Sequence, residues 1–147
     1  MPTSITRTAC RRDCPGSIVI DGSALIAISC RKPEAGYFLQ AIAEAEGCII
    51  SSVSLLETSM MLAGRKGDST AWAELDALIA RAGMRVVAQN AELVEAARTA
   101  FLQYGKGRHS AALNLGDCAS YALAKTRRLP LLFKGNDFPR TDLAAAA

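Results

Sequence analysis

The sequence predicts an α/β domain built on a mostly parallel sheet of four or so short strands, and three observations predict it. Short apolar runs, several of them rich in β-branched residues, recur at residues 18–21, 48–50, 85–87 and 131–133. Between them lie longer segments whose apolar residues fall at helical spacing. The runs are continuously apolar rather than alternating, as in strands that helices cover on both faces. Strand and helix signals alternate with no internal repeat and no Pro/Ser-rich linker, which describes one α/β domain.

The elements follow in order. Residues 18–21 form the first strand, and Ser23 is placed to cap a short helix over 24–29. Pro33 suits the first turn of a second helix, with Phe38, Leu39, Ile42, Ala43 and Ala45 apolar and Gly47 ending it. Residues 48–50 make the next strand. Ser52 or Ser54 then caps a helix reaching Ala63, with Gly64 as its stop. A helix over about 69–81 carries Trp72, Leu75, Leu78 and Ile79 and ends at Gly83, ahead of a strand at 85–87. Asn90 caps a helix to about Tyr104, its apolar face made by Leu93, Val94, Ala97 and Phe101. A basic loop at 105–107 precedes a helix from Leu115 or Asp117 to Arg127, then Pro130 and the last strand at 131–133.

At 147 residues, half of them apolar and about a fifth charged, the chain is long enough for one substantial core. A net charge of +3 permits contact with nucleic acid without requiring it. The five cysteines, an odd count, read as reduced thiols, and Cys10 and Cys14 lack a second pair to complete a zinc site. No run approaches the roughly 20 apolar residues that span a bilayer, and no signal-peptide segment precedes Ser17. A cytoplasmic location is expected, with no membrane partner. Residues 1–16 read as a disordered leader or a misplaced start, 17–143 as the domain, and 144–147 as a tail.

Four acids stand where an ordinary core would not place them. Asp21 ends the first strand, and Asp137 follows the last one across a Lys-Gly-Asn turn. Glu57 lies among Leu55, Leu56, Met60 and Met61, and Asp117 follows Gly116 at the mouth of a helix. Carboxylates are seldom buried unless paired or bound to metal. Sites in parallel sheets form at the carboxyl edge, which holds Asp21 and Asp137 and lets Glu57 and Asp117 lean over. Crowded carboxylates repel; a hard cation, Mg²⁺ or Mn²⁺, takes such oxygen ligands. A water on the cation, its pKa lowered, can attack a phosphodiester. Each Asp also has a plain reading, as a turn residue, a helix cap or a partner of the helix dipole, whereas Glu57 is odder, set in a segment with little polar surface.

The run Ile18-Val19-Ile20-Asp21-Gly22-Ser23-Ala24-Leu25 resembles the opening strand and turn of PIN-domain ribonucleases, in particular VapC toxins of bacterial toxin–antitoxin pairs. Leu115-Gly116-Asp117-Cys118-Ala119-Ser120-Tyr121-Ala122 and Lys134-Gly135-Asn136-Asp137-Phe138 are similar to later acidic motifs of that family, and Glu57 fits in spacing. The resemblance spans residues 18–143. It implies a PIN-like three-layer sandwich with four to five strands, and a Mg²⁺- or Mn²⁺-dependent endoribonuclease. Asp21, Glu57, Asp117 and Asp137 match its catalytic, metal-holding quartet. As supporting residues, Ser23 is a candidate to bond a carboxylate or phosphate or simply to cap its helix, and Asn136, beside Asp137, to orient it or to serve as a turn residue. It further implies a structured RNA substrate of the tRNA or rRNA class, silencing by a VapB-type antitoxin, and a homodimer.

Gly22 departs from the family, which usually has Thr or Ser directly after the first Asp, and this suggests a looser turn. Lys134 and the Lys106–His109 stretch are candidate phosphate contacts or ordinary exposed residues. Tyr104 and Tyr121 are candidates for base stacking or for packing. Two other readings stay open: an inactive PIN-like binding module, and a DNA-directed or structure-specific metal nuclease.

Overall fold

A computed structural model describes residues 14–66 and 70–146. Most of the expected leader (residues 1–13), the expected helix start at Ser69 and the terminal Ala147 lie outside the described residues.

The strands are β1 (Ser17–Ile20), β2 (Gly47–Ser51), β3 (Arg85–Val87) and β4 (Leu131–Leu132). The helices are α1 (Gly22–Ser29), α2 (Ala35–Glu44), α3 (Ser52–Lys66), α4 (Thr70–Ala82), α5 (Ala91–Tyr104) and α6 (Leu115–Arg127). The sheet is fully parallel in the order β3-β2-β1-β4. The chain therefore winds outward from β1 to β3 and then crosses back to place β4 on the other side of β1. That reversal opens a crevice at the carboxyl ends of β1 and β4, where α/β sheets keep their sites.

Alternation along the strands builds three layers. Ile18, Ile20, Cys48, Ile50 and Leu132 face one way, toward Leu25, Phe38, Ile42, Leu62 and Leu75 of α1–α4. Val19, Ile49, Val87 and Leu131 face the other, toward Leu93, Tyr104, Cys118 and Leu123 of α5 and α6. Val19 and Ile20 are both fully buried, which explains why β1 reads as a continuous apolar run. Each such side chain is worth about 1.5–3 kcal/mol of burial.

Several local expectations are corrected. Helix α3 runs through Gly64 to Lys66, because a lone glycine weakens a packed helix by only about 1 kcal/mol. The residue ahead of α3 that receives its Val53 N–H is Ser51, through Oγ at 3.2 Å, rather than Ser52 or Ser54. Pro33 precedes α2 by two residues instead of sitting in its first turn. Trp72 is half exposed and donates its Nε1–H to Ser59 O, leaving Ala71 and Leu75 to fill the core. Val94 and Phe101 are each 41% exposed, and Leu93, Ala100 and Tyr104 form the buried face of α5. Among the described residues, Cys30, Cys48 and Cys118 are free thiols, while Cys10 lies outside them. Residues 144–146 lie along β4: Leu131 N donates to Ala144 O and Ala146 N to Leu131 O, so this stretch covers the sheet edge. Among the described residues, no helix is long and apolar enough to cross a membrane.

Candidate active site

Asp21 follows β1 directly and begins α1. Its Oδ2 accepts from Ser23 N at 3.0 Å and from Ser23 Oγ at 2.6 Å, so Asp21 caps the helix and Ser23 does not. The shift has a simple cause: α1 starts at Gly22, which leaves Ser23 inside the first turn. The Ser23 hydroxyl then accepts from Lys134 N at 3.0 Å and ties the loop after β4 to the pocket. Asp21 Oδ1 accepts from Ser120 Oγ of α6 at 2.6 Å.

Glu57 extends from the second turn of α3 toward α6, where Gly116 N donates to its Oε2 at 3.3 Å. Only glycine allows this approach, because a Cβ at residue 116 would fall 2.4 Å from Glu57 Oε1. Asp117 completes a capping box with Asn114: Asp117 N donates to Asn114 Oδ1 at 2.9 Å and Asn114 N to Asp117 Oδ2 at 3.1 Å. The Asn114-x-x-Asp117 spacing carried that signal in the sequence.

Asp21, Glu57 and Asp117 line one pocket of about 110 Å³, together with Ser23, Ser54, Thr58, Met61 and Asn114. Asp137 is outside the lining, exposed on the loop just before the short 3₁₀ turn Phe138–Arg140, and Asn136 is exposed beside it. The Asp137 charge still reaches the pocket. Asp117 is pushed up to about 6, chiefly by burial and further by the negative charges of Asp21, Asp137 and Glu57, against the N–H it receives from Asn114.

The sequence reading missed the residues that back these acids: Asn114, Gly116, Ser54, Thr58 and Ser120. It also misread Gly22. A Cβ there would lie 2.1 Å from Thr58 Oγ1, so Gly22 marks a tight α1–α3 contact and not a looser turn. Lys134 pairs with Glu34 at 3.4 Å. His109 is exposed on its loop and accepts from Ala111 N through Nδ1, while Arg108 stands over the Phe101 ring at 5.6 Å. Tyr104 and Tyr121 are buried with ring centroids 5.5 Å apart, which makes them packing residues and not stacking platforms. A larger groove of about 600 Å³, lined by Val53, Val94, Phe101, Leu102 and Leu115 among others, is almost wholly apolar and contains no carboxylate. The acidic residues are gathered in the smaller pocket instead.

The donors in that pocket are hard oxygens, and Asp117 is raised chiefly by its burial and further by the carboxylates around it. In donor chemistry and charge the residues fit a divalent cation. Among the described residues, no three or more His, Cys, Asp or Glu side chains are gathered closely enough to hold a metal ion in this arrangement.

Residues 18–143 match the PIN domain family. The chain is 45% identical over 130 residues to Ribonuclease VapC30 of Mycobacterium tuberculosis, covering 88% of this chain and 98% of that protein. The solved structure of Mycobacterium tuberculosis VapC20, a Sarcin-Ricin loop cleaving toxin, superposes with a TM-score of 0.71 at 21% identity, covering 86% and 96% of the two chains. A toxin–antitoxin complex from Klebsiella pneumoniae gives 0.60 at 20% identity, covering 82% and 89%. From the match over nearly its whole length, this chain belongs to the PIN-domain family, within its VapC ribonucleases.

Proposed function

We propose that the protein is an endoribonuclease toxin that hydrolyses structured RNA at the Asp21–Glu57–Asp117 pocket with the help of Mg²⁺ or Mn²⁺. The observation that carries this reading is the convergence of three acids, from β1–α1, α3 and α6, on one small pocket at the carboxyl edge of the sheet. A divalent cation bound there supplies a water of lowered pKa and positive charge against the phosphate.

The protein's own residues do the rest. Asp21 and Asp117 are the principal cation ligands, Glu57 completes the set from α3, and Asp137 approaches from the β4 loop. Ser23 holds Asp21 and that loop together, and Asn136 lies next to Asp137. RNA of the tRNA or rRNA class is the proposed substrate, in keeping with the name of VapC20. A VapB-type antitoxin is the proposed partner, in keeping with the Klebsiella complex. A cytoplasmic homodimer is the proposed working form.

Incubating the purified chain with total RNA tests the reading. Wild type is expected to cleave in Mg²⁺ and to stop in chelator, with Asp21→Ala and Asp117→Ala inactive. Equal cleavage by all three proteins, or none by wild type free of antitoxin, sinks it.

A further inference from the structure

We propose that Ser120 and Ser54 are positioning residues for the acidic pocket, a chain of two buried hydroxyls that aims Asp21 and sets its place relative to Asp117 and Glu57. The proposal rests on the reading of that pocket as a divalent-cation site.

Asp21 is 4% exposed, so its lone pairs need partners inside the protein. Oδ2 is served locally by Ser23, whereas Oδ1 depends on Ser120, 99 residues away in sequence and itself fully buried. A hydroxyl beside a carboxylate donates, and at 2.6 Å this is a short, charge-assisted bond. With its one proton committed to Asp21, Ser120 presents a lone pair to Ser54 Oγ, 2.8 Å away. Ser54 is then the donor in that contact. The same proton is shared with Gly116 O, the carbonyl directly before Asp117, to which Ser54 Oγ donates at 3.1 Å.

The chain of contacts thus joins the end of β1, the start of α3 and the first turn of α6. Helical spacing gives the junction its purpose. Ser54 precedes Glu57 by three residues on α3, and Ser120 follows Asp117 by three on α6, so each hydroxyl lies on the same face as an acid of its own helix. Alanine would meet the packing and helix preferences at both positions. The hydroxyls serve the carboxylates.

Calorimetric Mn²⁺ binding to purified wild type, Ser120→Ala, Ser54→Ala, Ser59→Ala and Asp117→Asn tests this, with circular dichroism to follow the fold. Groups behind metal ligands typically govern affinity by about 10–100-fold. Ser120→Ala is expected to bind Mn²⁺ roughly 10-fold more weakly and Ser54→Ala several-fold more weakly. Ser59 lies on the same helix, but its hydroxyl bonds Leu55 O, so Ser59→Ala is expected to bind like wild type. Lowered melting temperatures with wild-type Mn²⁺ affinity in both Ser120→Ala and Ser54→Ala would show a merely structural pair and overturn the proposal. Wild-type binding no tighter than that of Asp117→Asn would instead remove the cation reading, and the proposal with it.

Discussion

Gly116 and Glu57 meet across the α3–α6 contact with no room for a side chain between them: Gly116 N reaches Glu57 Oε2 at 3.3 Å, and a Cβ would sit 2.4 Å from Oε1. Gly116→Ala therefore sets helix propensity against site geometry. Alanine favours the helix by up to about 1 kcal/mol, while its methyl drives the Glu57 carboxylate aside. Thermal melting is expected to stay within about 1 kcal/mol of wild type. RNA cleavage is expected to fall by about 10-fold or more, as for other supports of a metal site. Full activity in Gly116→Ala would show that the Glu57 position does not matter.

Gly22 faces Thr58 in the same manner, but here the neighbour cannot move away cheaply. Thr58 is buried and its Oγ1 is bonded to Ser54 O at 2.7 Å. Gly22→Ser is expected to destabilise by about 1–3 kcal/mol, the usual cost of overpacking. In a Thr58→Ala background the penalty should shrink, giving a coupling of about 1 kcal/mol in a double-mutant cycle by urea unfolding. Independent, additive effects would contradict the contact.

Asp117 ties stability to pH. Its folded pKa of about 6 lies above the ordinary 3.8, so the native state favours the protonated form. The contribution is fully present below pH about 4 and is lost as pH rises through about 6. The difference corresponds to at most about 3 kcal/mol, and partial solvation leaves roughly 1–2 kcal/mol of it. In chelator, Asp117→Asn should be more stable than wild type by that amount at pH 7.5 and similar to it at pH 4. Denaturant melts at the two pH values check this, and a variant less stable than wild type at pH 7.5 contradicts it.

Much of the fold was legible because local signals and burial agree. The run at β1 reads as a doubly covered strand because both its faces are buried, and Asn90 reads as a cap because its Oδ1 accepts from Leu93 N at 2.9 Å. What stayed hidden depends on pairing between distant segments. Nothing near Gly22 announces Thr58, and nothing near Asp21 announces Ser120, since α1, α3 and α6 are neighbours in the fold and not in the sequence. The carboxylates were visible as apolar-flanked acids. The hydroxyls behind them resemble any helical serine until the register of α6 against β1 is known.

The chemistry of the RNA ends tests the central claim most directly. The chain has a single histidine, His109, and it lies in an exposed loop outside the acidic pocket. The pocket offers carboxylates instead, suited to hydrolysis by water with a divalent cation. Fragments from a defined RNA hairpin should therefore carry no 2′,3′-cyclic phosphate, and none should form in chelator. Cyclic phosphate ends that persist without divalent cation would mean attack by the RNA's own 2′-hydroxyl, and would contradict the account.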